Sequence, residues 1–283
     1  MPPPTVSPAR PSPSAPQPRR EMSRRWFTVI GVGWLAVLAL AAWWGLARPE
    51  PTDREQTTVG QAQPFADEAI ARVAAAVTAD HAGVVAVSPF TRVESCDVSV
   101  VRGGERYQRT LTAIVPPGTE RAVIERVAAA LPADFAPSVR RSDPARLTAD
   151  VGYWVLLTGT ATAPGELSFV ADTGDCRPLG DLQPSPSVST SRDQALLSRL
   201  GLAEVSRTGA SVSCVDGGSV VTSEIRATIH EGDLRAGIDV PAGSDVSVNE
   251  PRLVAYRTAA GLQVAIRAHE DATILTSTTV CDR

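Results

Sequence analysis

The chain contains no lysine: all 27 of its basic residues are arginine, set against 31 acids. That bias reads as the codon usage of a GC-rich bacterial genome before any functional choice. Aromatic residues are scarce at 5%, and four of the five tryptophans fall between positions 26 and 44, so any folded core elsewhere must be built from Val, Leu, Ile and Ala. No C-x-x-C pair occurs, which argues against thioredoxin-type redox chemistry and ribbon-type zinc sites. G-x-S-x-G, H-E-x-x-H and G-x-x-x-x-G-K-[ST] are absent, and no G-x-G-x-x-G opens a helix. Three histidines exist, His81, His230 and His269, so a hydrolase with a histidine base must draw on one of them. Positive charge is lacking where nucleic acid would need it. Five Arg and one acid, Glu21, precede position 48, which leaves 22 Arg against 30 acids beyond it. A nucleic-acid partner is therefore not expected.

One long apolar run is present. Residues 26–47, WFTVIGVGWLAVLALAAWWGLA, carry no charge over 22 positions. As a helix this is about 33 Å at 1.5 Å per residue, the thickness of a bilayer core. Trp26, Trp43 and Trp44 stand near its ends, where an amphipathic ring favours the headgroup region. Arg19, Arg20, Arg24 and Arg25 precede it, whereas mixed charges follow. This asymmetry predicts a plasma-membrane helix with the N-terminus cytoplasmic and the C-terminal region extracytoplasmic. An alternative is export followed by signal cleavage, since Ser23-Arg24-Arg25-Trp26-Phe27 resembles a twin-arginine core and Ala39-Leu40-Ala41 an A-x-A site. The apolar run continues past that site, which favours retention. Residues 1–25 begin with eight prolines in the first 18 positions and are expected to be a disordered cytoplasmic tail.

Beyond the apolar run the expected order is a stalk over 48–63, a first repeat over 64–180, a Pro/Ser linker over 181–190 and a second repeat over 191–283. Each repeat opens with a helical stripe: Phe65, Ile70, Val73 and Val77 in the first, and a capping box at Ser191–Gln194 before Leu196, Leu197 and Leu200 in the second. A strand holding a cysteine follows, then a Gly-Gly pair read as a hairpin turn (Gly103-Gly104, Gly217-Gly218). The first repeat inserts a helix near 119–131. Pro132-Ala133, Ser138-Val139 and Pro144-Ala145-Arg146-Leu147 then match Pro241-Ala242, Ser247-Val248 and Pro251-Arg252-Leu253 in order. The expected fold is α+β, each repeat being a helix on an antiparallel sheet of about five strands with one disulfide.

All four cysteines lie beyond the apolar run. If that region is exported, the compartment is oxidising, and the repeat alignment selects one of three pairings: Cys96 with Cys176 and Cys214 with Cys281. The one constellation with metal-like chemistry joins His230, Glu231 and Asp233 to His269, Glu270 and Asp271, at the ends of two expected strands. The matching positions of the first repeat are plain turns, so polar turn tips are the favoured reading and no cofactor is expected. Tyr107, Tyr153, Trp154 and Tyr256 are the candidate anchors for a protein or envelope-component partner, if exposed. The function these features favour is a membrane-anchored, non-enzymatic binding or envelope-assembly protein. Two alternatives stand beside it: an envelope hydrolase or metal-dependent enzyme using His230 and His269, and a single-pass sensor or signalling anchor.

Overall fold

A computed structural model describes residues 24–47, 57–80, 83–99, 102–184 and 191–282. The Pro-rich tail, most of the expected stalk, the linker from position 185 and His81 lie outside the described residues. The chain divides into two units, Met1–Pro51 and Thr52–Arg283.

The first unit contributes one helix, α1 (Arg24–Ala47). Its stretch Trp26–Trp44 has a mean hydropathy of 1.9 and none of it is buried, so by length and composition it is a candidate membrane span.

The second unit is α+β, with two antiparallel sheets. Helix α2 (Val59–Thr78) opens it. The helix begins inside the stretch read as stalk, because Thr58 and Gln61 form a reciprocal capping box: the Thr58 side chain accepts from Gln61 N–H and the Gln61 side chain from Thr58 N–H. Ile70, Val73 and Val77 point inward as expected, and small Ala residues at 62, 66, 69 and 74 let the helix lie close on the sheet. Strands β1 (Val84–Val87), β2 (Thr91–Ser99) and β3 (Arg102–Ile114) follow, then helix α3 (Glu120–Ala130) with Val123, Ile124 and Val127 buried. Pro132 stands just past it, where a helix cannot continue. The first half ends with β4 (Ser138–Arg140), β5 (Arg146–Gly152), β6 (Val155–Ala163) and β7 (Glu166–Asp172).

The second half has helix α4 (Ser191–Arg199), β8 (Glu204–Ser213), β9 (Ser219–Ala227), a single helical turn at Leu234–Gly237, β10 (Asp245–Glu250), β11 (Leu253–Arg257), β12 (Gln263–Ala268) and β13 (Thr273–Asp282). Asp193, in the first turn of α4, is buried and accepts a hydrogen bond from Ser223 of β9.

The sheets are larger than the five strands expected, with seven and six. Short strands without clean alternation, such as Ser138–Arg140, carry too little pattern to be counted from sequence. The first sheet runs β1-β3-β7-β6-β5-β4, with β2 also paired to β3; the second runs β10-β11-β12-β13-β9-β8. With β1 set aside, six strands of each half therefore follow one order. Two disulfides occupy comparable places: Cys96–Cys176 joins β2 to the segment after β7, and Cys214–Cys281 joins the residue after β8 to the end of β13. They close loops of 80 and 67 residues. Each is worth about 4 kcal/mol in the chain-entropy treatment.

The two Gly-Gly pairs differ. Gly217 and Gly218 have φ of 90° and 76° and form the β8–β9 turn, as expected. Gly103 and Gly104 instead lie within β3, opposite Asp97 and Cys96. There the need is space: a Cβ on Gly104 would stand 2.6 Å from the Arg177 carbonyl oxygen.

The halves share a core. Side chains of α2, α3 and the first sheet join Ala210, Val212 and Val220 of the second sheet in one buried cluster. The second sheet is covered on one face by α4 and the turn at Leu234–Gly237, against Ile225, Tyr256, Val264, Ile266 and Leu275. Its Val248, Ala255 and Ala265 pack on Val84 and Ile114 of the first sheet. The outward edge of β1 is closed by side chains of the second sheet: Val85 N–H donates to Gln263 Oε1 (2.7 Å) and Val87 N–H to Thr222 Oγ1 (3.0 Å). An uncovered edge would offer these donors to a foreign strand.

Candidate functional site

The β5–β6 hairpin turns on two residues, with Gly152 paired to Val155 across its base. Gly152, Tyr153 and Trp154 have φ of 91°, 49° and 61°. A two-residue loop with positive φ at both central positions is a type I′ turn, for which Asn-Gly is the usual choice. Bulky aromatic residues are uncommon in this region, and each costs on the order of 1–3 kcal/mol. Both side chains are nonetheless 53% exposed. Leu156, two residues on, is 45% exposed.

The turn is fixed from beneath. Asp150 accepts a hydrogen bond from Gly152 N–H at 3.0 Å. The buried Arg177 guanidinium donates to the Tyr153 carbonyl oxygen at 2.7 Å. Arg177 is itself pinned by a two-way backbone bridge to Glu105 and by its neighbour Cys176 in the disulfide. The Tyr153 ring stacks on Phe65 of α2 with centroids 4.2 Å apart. The turn is thus tied to α2, to β3 and to the disulfide, and its conformation is over-determined.

The other two candidate anchors lie elsewhere. Tyr107 is half-buried and stacks on Phe90, with burial pushing its phenol up. Tyr256 is 2% exposed, in the core beneath α4, so it is not a surface anchor. Alternation in a short strand does not tell which aromatic faces inward when both faces of a sheet are covered.

His230 and His269 stand in different surroundings. The His230 ring lies beside Gly232 and Gly237. His269 lines a cleft of about 230 Å³ between the sheets with Glu166, Glu224 and Arg267, where Glu166 and Arg267 form an ion pair. Asp233 is engaged by Arg235, whose guanidinium holds its carboxyl below the usual range. Asp271 is held down likewise by Arg226. Glu270 joins His269 and Asp271 at the rim of a neighbouring hollow. Among the described residues no three His, Cys, Asp or Glu gather as metal ligands would. Glu231 lies in the same loop as His230 and takes no part in such a cluster.

A buried ion pair that sequence reasoning missed joins α2 to β3. Arg109 Nε lies 3.0 Å from Asp67 Oδ1, without hydrogen-bond geometry. Arg109 also donates to the Ser211 carbonyl oxygen of β8 at 2.9 Å. Desolvation pushes the Asp67 carboxyl up to about 6 despite the opposing pull of Arg109. A polar residue on an apolar stripe was the available signal, since Asp67 lies between Ala66 and Ile70.

No family model matches this chain, and no curated protein or solved structure was found to be similar to it.

Proposed function

We propose that the protein is a single-pass, membrane-anchored binding protein whose domain from Thr52 onward works outside the cytoplasm and holds a protein partner at the Tyr153-Trp154 turn. The observation that carries this reading is the turn itself. Two aromatic rings are held exposed on a backbone that disfavours them, and strain of this kind persists where the surroundings enforce it. Aromatic residues are also the commonest hot spots of protein interfaces. The anchor rests on the apolar length of α1 and on the arginines before it. Two disulfides with no free cysteine among the described residues fit an oxidising compartment. We further infer that the two halves arose by duplication, which accounts for their common strand order and comparably placed disulfides.

The partner surface is tested with a photo-crosslinking residue at Leu156 in the full-length protein in its own membranes. One discrete protein adduct is expected, lost in the Tyr153→Asn/Trp154→Gly double variant. No adduct, or an adduct indifferent to the double substitution, would refute this reading.

A further inference from the structure

The two halves differ in how much helix covers each sheet. The first sheet carries α2 and α3, of 20 and 11 residues, whereas the second has the 9 residues of α4 and one turn of 4. At 1.5 Å per residue α4 is only about 13 Å long, too short to roof the whole sheet. Beside it opens a pocket of about 310 Å³, at the small end of the range for ligand sites. Its walls are apolar: Leu196 from α4, Leu262 and Val264 from β12 and the loop before it, and Pro241.

Three polar side chains reach that apolar space: Tyr256, Arg199 and Thr258, whose hydroxyl oxygen accepts from Leu262 N–H. Tyr256 pairs across strands with Val264, and its residue is 2% exposed. Tyr256 lines the pocket, and its hydroxyl makes no hydrogen bond among the described residues, which leaves it open to a ligand. Arg199 stands at the rim, exposed and without a carboxylate partner among the described residues. Its charge reaches the phenol, opposing the upward push of burial.

We propose that this pocket binds an acyl chain with an anionic headgroup, the chain lying between Leu196, Leu262 and Val264 and the headgroup taken by Arg199 and the Tyr256 hydroxyl. The apolar walls account for the chain. A donor pair of one guanidinium and one phenol, with no acid among the lining residues, accounts for the charge of the head. A free carboxylate and a lipid phosphate share this chemistry. The proposal rests on the pocket and not on the partner turn.

The test uses the full-length chain in phosphatidylcholine nanodiscs and a diazirine-bearing dodecanoic acid, with the labelled peptides mapped by mass spectrometry. Labelling is expected in the segments around Leu196–Arg199 or Tyr256–Val264, competed by dodecanoate or by the lysophosphatidic acid of equal chain length well ahead of dodecanol. The better acid competitor identifies the source of the headgroup. Arg199→Gln should weaken acid binding about tenfold, the loss of one charge-assisted hydrogen bond, and leave labelling by the matching alcohol probe unchanged. Ala195→Trp, at an exposed position on the mouth, should abolish labelling with an unshifted melting temperature. Labelling that survives Ala195→Trp, labelling spread over the chain, or dodecanol competing as well as the acids would overturn the proposal.

Discussion

Tyr153 and Trp154 occupy backbone conformations that most side chains avoid, and Asn-Gly would fill the same two positions with little strain. The Tyr153→Asn/Trp154→Gly double variant should therefore melt a few degrees higher than the native protein, even after losing the stack on Phe65. A lower melting temperature would mean that the turn is held for stability alone. Asp67 makes a second prediction at this scale. Its carboxyl is raised to about 6 in the folded protein from an ordinary value of 3.8. The folded state thus binds its proton more tightly than the unfolded one between these values. That contribution to stability is complete below about 3.8 and lost as pH rises through about 6. The melting temperature of the native protein minus that of Asp67→Asn should fall between pH 4 and pH 7; a constant difference would show that Asp67 does not titrate in this range. Neither feature was legible as such. The rings were named as anchors only if exposed, and nothing in Gly152-Tyr153-Trp154-Val155 resembles the residues a type I′ turn prefers.

Elements were legible where pattern and chemistry agreed. Val123 and Val127 with Pro132 beyond them marked α3 to within a residue, because one apolar stripe and one stop signal coincide. The start of α2 was missed although Thr58-Val59-Gly60-Gln61 carries a capping box in plain sight, since Gly60 and Pro64 are poor helix formers and obscured it. Tertiary contact accounts for that glycine: a Cβ at Gly60 would fall 2.2 Å from the Asp181 carbonyl oxygen. Thr58→Ala should cost about 1 kcal/mol in denaturant unfolding, by loss of the cap; an unchanged midpoint would show that the first turn is held by packing alone. The closure of β1 by Gln263 and Thr222 was also out of reach, since partners more than 130 residues away leave no local pattern.

For the whole molecule, the cysteine pairing was legible in the sequence, from aligning landmarks such as Pro132-Ala133 and Pro241-Ala242. The sequence did not reveal that the halves fold on one another. Val212 and Val220 lie in the stretch expected as the second repeat, yet they belong to the cluster built on α2, and Arg109 and Arg257 each donate to a carbonyl of the opposite half. A protease cut near Pro184 should therefore leave two fragments that co-elute under native conditions; free separation of the pieces would contradict the shared core. Whether an exported two-sheet domain is kept at the membrane by its own helix is settled by non-reducing peptide mapping of the protein purified from native membranes. Linked peptides Cys96–Cys176 and Cys214–Cys281 are expected together with an intact peptide spanning residues 26–47. Four free thiols, crossed pairs, or a mature N-terminus at Ala42 would contradict that arrangement.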